Sequence, residues 1–240
     1  MICLKFLGSM PYTHCGGKYT TFYYFKQIKH HFKNFETNII DHDSALESSV
    51  LIPLLNIDDT VYVLFQVRSK NISAQPGEIS FPGGKKELSE INFMQTAIRE
   101  TCEELGIEAS DIEIIAEMNT FVAPFNIKIH PYLGIIKDFS KININEDEVD
   151  HIFLVPLSYF FETKPDIYNS KVSIIPDEDF PFNLLTKGEN YDFKTGNYKI
   201  FFYNYNGYII WGITAKIMND FIKQCSRLDC SLDTAAKGGI

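Results

Sequence analysis

Gly84-Lys-Lys-Glu-Leu-Ser-Glu90 leads, eight residues on, into Arg99-Glu-Thr-Cys-Glu-Glu-Leu-Gly106-Ile107. The second half has the spacing of a helix, predicted from about Glu90 to Leu105. Ser89 stands where an N-cap belongs, and Gly106 where a left-handed C-terminal residue belongs. Residues at i, i+3 and i+4 share a helix face, so Glu100, Glu103 and Glu104 converge. Met94, Ile98, Thr101, Cys102 and Leu105 are placed on the opposite side, toward a core. Three carboxylates on one patch repel each other, and the adjacent Arg99 can orient one or two without neutralising all three. A hard divalent cation such as Mg²⁺ takes oxygen ligands, keeps several waters and lets substrate phosphates complete its shell. The Gly83-Gly84 loop ahead of the helix lets backbone approach a ligand closely. A solvated acidic helix face is the alternative that Glu-x-x-Glu-Glu alone leaves open.

Taken with its flanks, the stretch resembles the Nudix box, Gly-x5-Glu-x7-Arg-Glu-U-x-Glu-Glu-x-Gly-U, where U is a bulky aliphatic residue. Gly84, Glu90, Arg99, Glu100, Glu103, Glu104, Gly106 and Ile107 find places in it. Eight residues rather than seven separate Glu90 from Arg99, and Thr101 replaces an aliphatic residue. Upstream, Leu64-Phe-Gln-Val-Arg68-Ser69, Gly77-Glu78 and Phe81-Pro82-Gly83-Gly84 resemble the signature of the coenzyme A pyrophosphatase branch. Asp147-Glu148-Val149, Val155-Pro156-Leu157 and Ile210-Trp211-Gly212-Ile213-Thr214-Ala215 extend the likeness over about residues 47–222. A second arginine expected between Arg68 and Gly77 falls at Ser73.

The resemblance implies an α/β/α sandwich and hydrolysis of the diphosphate in coenzyme A or an acyl-CoA. Mg²⁺ or Mn²⁺ would be held by Glu100 and Glu104. Glu103 would be a third ligand or the base that activates water, with Glu148 its rival as base and Arg99 supporting the cluster. Arg68, Ser69, Lys70, Gly83, Gly84 and Lys85 would receive the phosphates. Another nucleoside diphosphate compound, such as ADP-ribose or NADH, stays open as substrate, as does a silent nucleotide-binding module. Trp211 reads as core packing, and the histidines show no ligand spacing.

Outward from the box, Ser48–Ile57 and Thr60–Val67 read as a strand pair turned at Asp58-Asp59. Ile112–Met118 and Ile127–Lys137 read as strands, and the stretch 198–211 as a hairpin about Asn206-Gly207. A last amphipathic helix carries Ala215, Met218, Phe221 and Ile222. Residues 162–197, rich in Asp, Asn, Lys and Pro, read as an inserted surface loop. The fold class expected is α+β, a mixed sheet between helices. Its domain would run over 46–225, after a tail and basic amphipathic helix (1–45) and before a C-terminal tail (226–240). In the first part Phe25, Ile28, Phe32 and Phe35 recur at helical spacing, opposite Lys26, Lys29 and Lys33.

A net charge of −9 argues against a general nucleic-acid or anionic-membrane binder, so an anionic substrate must be met by local cations or metal. No apolar run approaches bilayer length. Five scattered cysteines suit free thiols in a reducing compartment. Cytoplasmic location is expected, with a mitochondrial leader the alternative. Met1 to Phe35 holds five lysines and no acid, but no arginine. The expected partner is a small nucleotide, with monomer and homodimer both open.

Overall fold

The computed structural model describes residues 19–34 and 45–236. The chain divides into two units, Met1–Asp43 and Ser44–Ile240, each taken by itself. The first contains helix α1 (Tyr19–His31), continued by a turn of 3₁₀ helix at Phe32–Asn34. The expected amphipathic helix is therefore present, although Phe35 lies outside the described residues.

In the second unit, β1 (Leu46–Ile57) and β2 (Thr60–Arg68) form the expected hairpin. Asp58 and Asp59 both take positive φ, 49° and 61°, the paired left-handed geometry that matches a tight turn to strand twist. Short strands β3 (Ile79–Ser80) and β4 (Gly83–Lys85) precede helix α2 (Phe93–Leu105). Then come β5 (Ile112–Glu117), β6 (Phe121–Ala123), β7 (Ile127–Ile136), β8 (Val149–Pro156) and helix α3 (Leu157–Glu162). Strand β1 pairs antiparallel with β2 and β4 and parallel with β7. Strands β5 and β6 pair with β7, and β3 and β8 with β2, giving a mixed eight-stranded sheet.

Residues 162–197 are not a plain loop. They contain β9 (Asp166–Ser173), which pairs antiparallel with β10 (Thr195–Tyr205). Strand β11 (Tyr208–Trp211) completes a three-stranded sheet through the expected Asn206-Gly207 turn, with φ of 51° and 90°. Helix α4 (Gly212–Ala236) follows.

Strand alternation sends neighbouring residues to opposite faces and so builds two cores. Leu51, Leu55 and Leu64 pack with Ala97 and Leu105 of α2 on one face. Ile52, Val63 and Phe65 pack with Ala215, Met218 and Phe221 of α4 on the other. Burying each of the Leu, Ile, Val, Phe and Met side chains among them contributes about 1.5–3 kcal/mol. The result is a sheet between helices, the α+β class expected. Among the described residues no helix is long and apolar enough to cross a membrane.

Helix α2 starts three residues later than expected. Asn92, not Ser89, is its N-cap, with Oδ1 accepting from the Gln95 amide at 3.0 Å. That frees Glu90 for another task. Gly106 closes the helix at φ 62°, and a side chain there would collide with the Asn143 carbonyl.

Candidate functional site

Helix α2 and strand β4 bring the box residues together. Arg99 is the hub. Its Nε donates to Glu90 Oε1 at 2.9 Å, Nη1 to Glu103 Oε2 at 3.0 Å and Nη2 to Glu100 Oε1 at 2.9 Å. Nη2 also reaches the Lys85 carbonyl at 3.2 Å. Burial alone would lower the Arg99 pKa, but Glu90 and Glu100 outweigh it and hold the guanidinium charged. Glu90 further accepts from Thr96 Oγ1 and the Glu87 amide. Burial raises its pKa, but these donors with Arg99 bring it below the ordinary carboxylate range.

Glu104 is the buried member, 3% exposed. Its Oε2 accepts from the Gly83 amide at 2.8 Å, and its Oε1 lies 3.9 Å from Arg68 Nη1. Desolvation pushes its pKa up to about 7, against the opposing pull of Gly83 and Arg68. Desolvation also raises Glu100, helped by the charges of Glu103 and Glu148 and opposed by Arg99. Glu148 thus belongs to the same electrostatic cluster, carried by the loop ahead of β8. Its carbonyl accepts from the Ser69 amide at 2.8 Å.

The glycines have steric reasons. A side chain on Gly84 would occupy the space of the Glu100 carboxylate, and one on Gly83, at φ 151°, would strike Ser49 and Val50. Both glycines therefore let β4 lie directly against β1 and the carboxylates.

A divalent cation suits this donor set. The oxygens are hard, Glu104 and Glu100 stand one helical turn apart on α2, and Gly84 leaves the Glu100 carboxylate uncrowded. Among the described residues no three acidic, His or Cys side chains already form a closed cage. Glu100 and Glu104 fit an ion that takes its remaining ligands from water and substrate.

A cavity of about 450 Å³ opens beside the cluster. Arg68 and Gly83 line one part, Phe81, Ile129 and Trp211 an apolar wall, and Lys171 and Tyr198 of the inserted strands another. Arg68 is steadied by a bond from Nε to the Ala74 carbonyl at 3.2 Å. Four expected phosphate-binding residues, Ser69, Lys70, Gly84 and Lys85, do not line this cavity. Ser69 is buried, and its Oγ accepts from its own loop at Asn71. Lys70 and the Lys85 side chain point to solvent.

One packing expectation is corrected. Trp211 is 39% exposed, stacks on Phe202 and lines the cavity, so it serves the pocket while its neighbour Ile210 fills the core. Cys102 is half-buried and packs at the edge of the α2 core, on the side expected for it. Sequence reasoning missed Gln66, Ser80, Thr96 and Lys171. The available signal was Gln66, an amide within the otherwise apolar run Val63–Val67.

A NUDIX domain model matches residues 45–190. The peroxisomal coenzyme A diphosphatase of Mus musculus is 32% identical over 176 residues, 73% of this chain and 69% of that protein. Nudix hydrolase 15, mitochondrial, of Arabidopsis thaliana is 30% identical over 181 residues, 74% of this chain and 58% of that one. The mitochondrial coenzyme A diphosphatase of Homo sapiens is 29% identical over 124 residues, 50% and 52% of the two chains. The match spans little more than half the length of the last two proteins.

Proposed function

The chain belongs to the Nudix family, and from that premise we propose that it hydrolyses the diphosphate linkage of coenzyme A or an acyl-CoA. The products are adenosine 3′,5′-bisphosphate and 4′-phosphopantetheine or its acyl thioester. The observation that carries this reading is the cavity that joins Arg68 and Gly83, at the buried Glu104, to an apolar wall and a second cation, Lys171. A diphosphate at the carboxylate end leaves room along the wall for the rest of a long substrate. The likeness to coenzyme A diphosphatases supports the same class.

Family members use divalent metals, and Mg²⁺ or Mn²⁺ held by Glu100 and Glu104 fits the oxygen donors here. The bound ion supplies charge neutralisation at the diphosphate and an acidified water. The chain's own residues do the rest. Arg99 fixes Glu90, Glu100 and Glu103 in one array, and Arg68 with the backbone at Gly83 and Gly84 orients the phosphates. Glu148 is the favoured base. Glu103 is already engaged by Arg99, whereas no ion pair to Glu148 occurs among the described residues. A base must be free to take a proton from the attacking water.

Ser73, where an arginine is expected, supports a second reading, a different nucleoside diphosphate substrate. Purified protein incubated with Mg²⁺ and coenzyme A, ADP-ribose, NADH or a diadenosine polyphosphate distinguishes them by mass spectrometry of products. Release of 4′-phosphopantetheine fastest in the panel, and lost in Glu104→Gln, is the expected result. Faster turnover of another compound discards coenzyme A as substrate. Relatives named as peroxisomal and mitochondrial support an organelle, not the cytoplasm, as the compartment. Cell fractionation with an antibody to the untagged protein tests this.

A further inference from the structure

Among the described residues, Gln66 Nε2, Gln66 Oε1 and Ser80 Oγ are buried without a hydrogen-bond partner. Gln66 is fully buried. A buried amide left unsatisfied costs about 1–3 kcal/mol, so a folded protein keeps one for a reason. The two residues are direct cross-strand partners in β2 and β3, which puts their side chains on one face of the sheet. Leu64 on β2 faces the α2 core, and Gln66, two residues on, faces the same way toward Glu104. The Gln66 amide favours the ionised form of Glu104, although no hydrogen bond of good geometry joins them. Ser80, at the other end, lines the cavity.

The chemistry of the three groups allows one direction of donation. An ionised carboxylate only accepts, an amide nitrogen only donates, and a hydroxyl does both. We propose that Ser80 and Gln66 are positioning residues that link the cavity to the metal-binding carboxylate. With a cation in place, rotation of the two side chains lets Gln66 Nε2–H donate to Glu104 and Ser80 Oγ–H donate to Gln66 Oε1, bonds that neither residue makes in the structure as it stands. The link rests on the divalent-metal site proposed above. It satisfies all three orphaned atoms at once and holds Glu104 in a fixed orientation for the cation. Neither residue touches the reacting atoms, and loss of such an outer partner typically weakens metal affinity about 10- to 100-fold.

The test is Mn²⁺ titration by calorimetry, with thermal melts in chelator, on wild type, Gln66→Met, Ser80→Ala and the double variant. Gln66→Met is expected to weaken Mn²⁺ binding about 10- to 100-fold, with a metal-free Tm equal to or above that of wild type. Removing an unsatisfied buried amide does not destabilise by itself. Ser80→Ala, at a partly exposed position that tolerates truncation, is expected to weaken binding by a smaller factor. The double variant should bind no worse than Gln66→Met alone. Unchanged Mn²⁺ affinity in Gln66→Met, or a metal-free Tm that falls along with affinity, would overturn the proposal. So would additive effects of the two substitutions. Failure of wild type to bind Mn²⁺ takes down the metal site itself, whereas normal wild-type binding unaffected by Gln66→Met removes the link alone.

Discussion

At the scale of single residues, the cost of function is concentrated on Glu104. Its carboxyl is held at about 7 by burial, well above the value it has in an unfolded chain. The sign follows directly: above pH 7 the folded state carries a buried charge that the unfolded state keeps in water, so ionisation destabilises the metal-free fold. As pH falls from 8 through 7 the group protonates and that penalty shrinks, vanishing below the unfolded-state pKa. In chelator at pH 8, Glu104→Gln is therefore expected to melt higher than wild type, with the two converging only as pH falls below the ordinary carboxyl value of 4.5. Mg²⁺ should raise the Tm of wild type at pH 8 and leave that of Glu104→Gln unmoved. A Glu104→Gln variant less stable than wild type at pH 8 would contradict the burial argument. The base is decided by a similar contrast. Glu148→Gln is expected to lower kcat at least about 100-fold with Mn²⁺ affinity retained. Glu103→Gln should cost affinity as well, because it loosens Arg99 and the array it holds. Titration calorimetry alongside steady-state kinetics separates the two. Glu100, Glu104 and Arg99 were legible in the sequence because helical spacing is fixed by local geometry. Gln66 and Ser80 were not, because their roles arise from a strand register and a burial that no local pattern states.

At the scale of elements, the hairpins and α2 were readable from turn residues and periodicity, while the inserted β9 was not. Its residues Asp166–Ser173 alternate little and are mostly exposed, so no hydrophobic period marks them. The strand exists through its pairing with β10, some thirty residues away along the chain. Helix α2 was misplaced at its start for a related reason. Ser89 and Asn92 are both good caps, and only the tertiary partners of Glu90 decide between them. The consequence of β9 is functional, since it delivers Lys171 to the cavity that already holds Arg68. Lys171 can then supply the cation that Ser73 lacks, and it suits an anionic group remote from the diphosphate, such as the 3′-phosphate of coenzyme A. Lys171→Ala is expected to raise KM for coenzyme A about 10-fold while leaving kcat near wild type, the size of one charge-assisted contact. Dephospho-coenzyme A, which lacks that phosphate, should be turned over equally by both proteins. An equal loss on the two substrates would refute the assignment.

At the scale of the whole molecule, charge and architecture pull in different directions. For a chain of net −9 the proposed polyanionic substrate meets no long-range attraction, and on that proposal recognition falls to Arg68, Lys171, the metal held by α2 and the backbone at Gly83. Every one of these lies in the unit Ser44–Ile240, which also contains the complete mixed sheet and both of its cores. Residues 1–43 hold five lysines against three acids, so the catalytic unit is more acidic than the chain as a whole. Removing them is expected to leave the fold intact, because β1 begins at Leu46 and its first amide is already satisfied by the Asn126 carbonyl. The shortened protein should keep its Tm within a few degrees and kcat within about twofold, since the proposed site residues all lie in the retained unit. KM for coenzyme A should rise modestly at low ionic strength, as the net field becomes more repulsive. About 0.15 M salt should erase most of that rise, because its screening length is near 8 Å. A kcat that collapses on truncation, with the melt unchanged, would instead place residues of the first unit at the reacting groups.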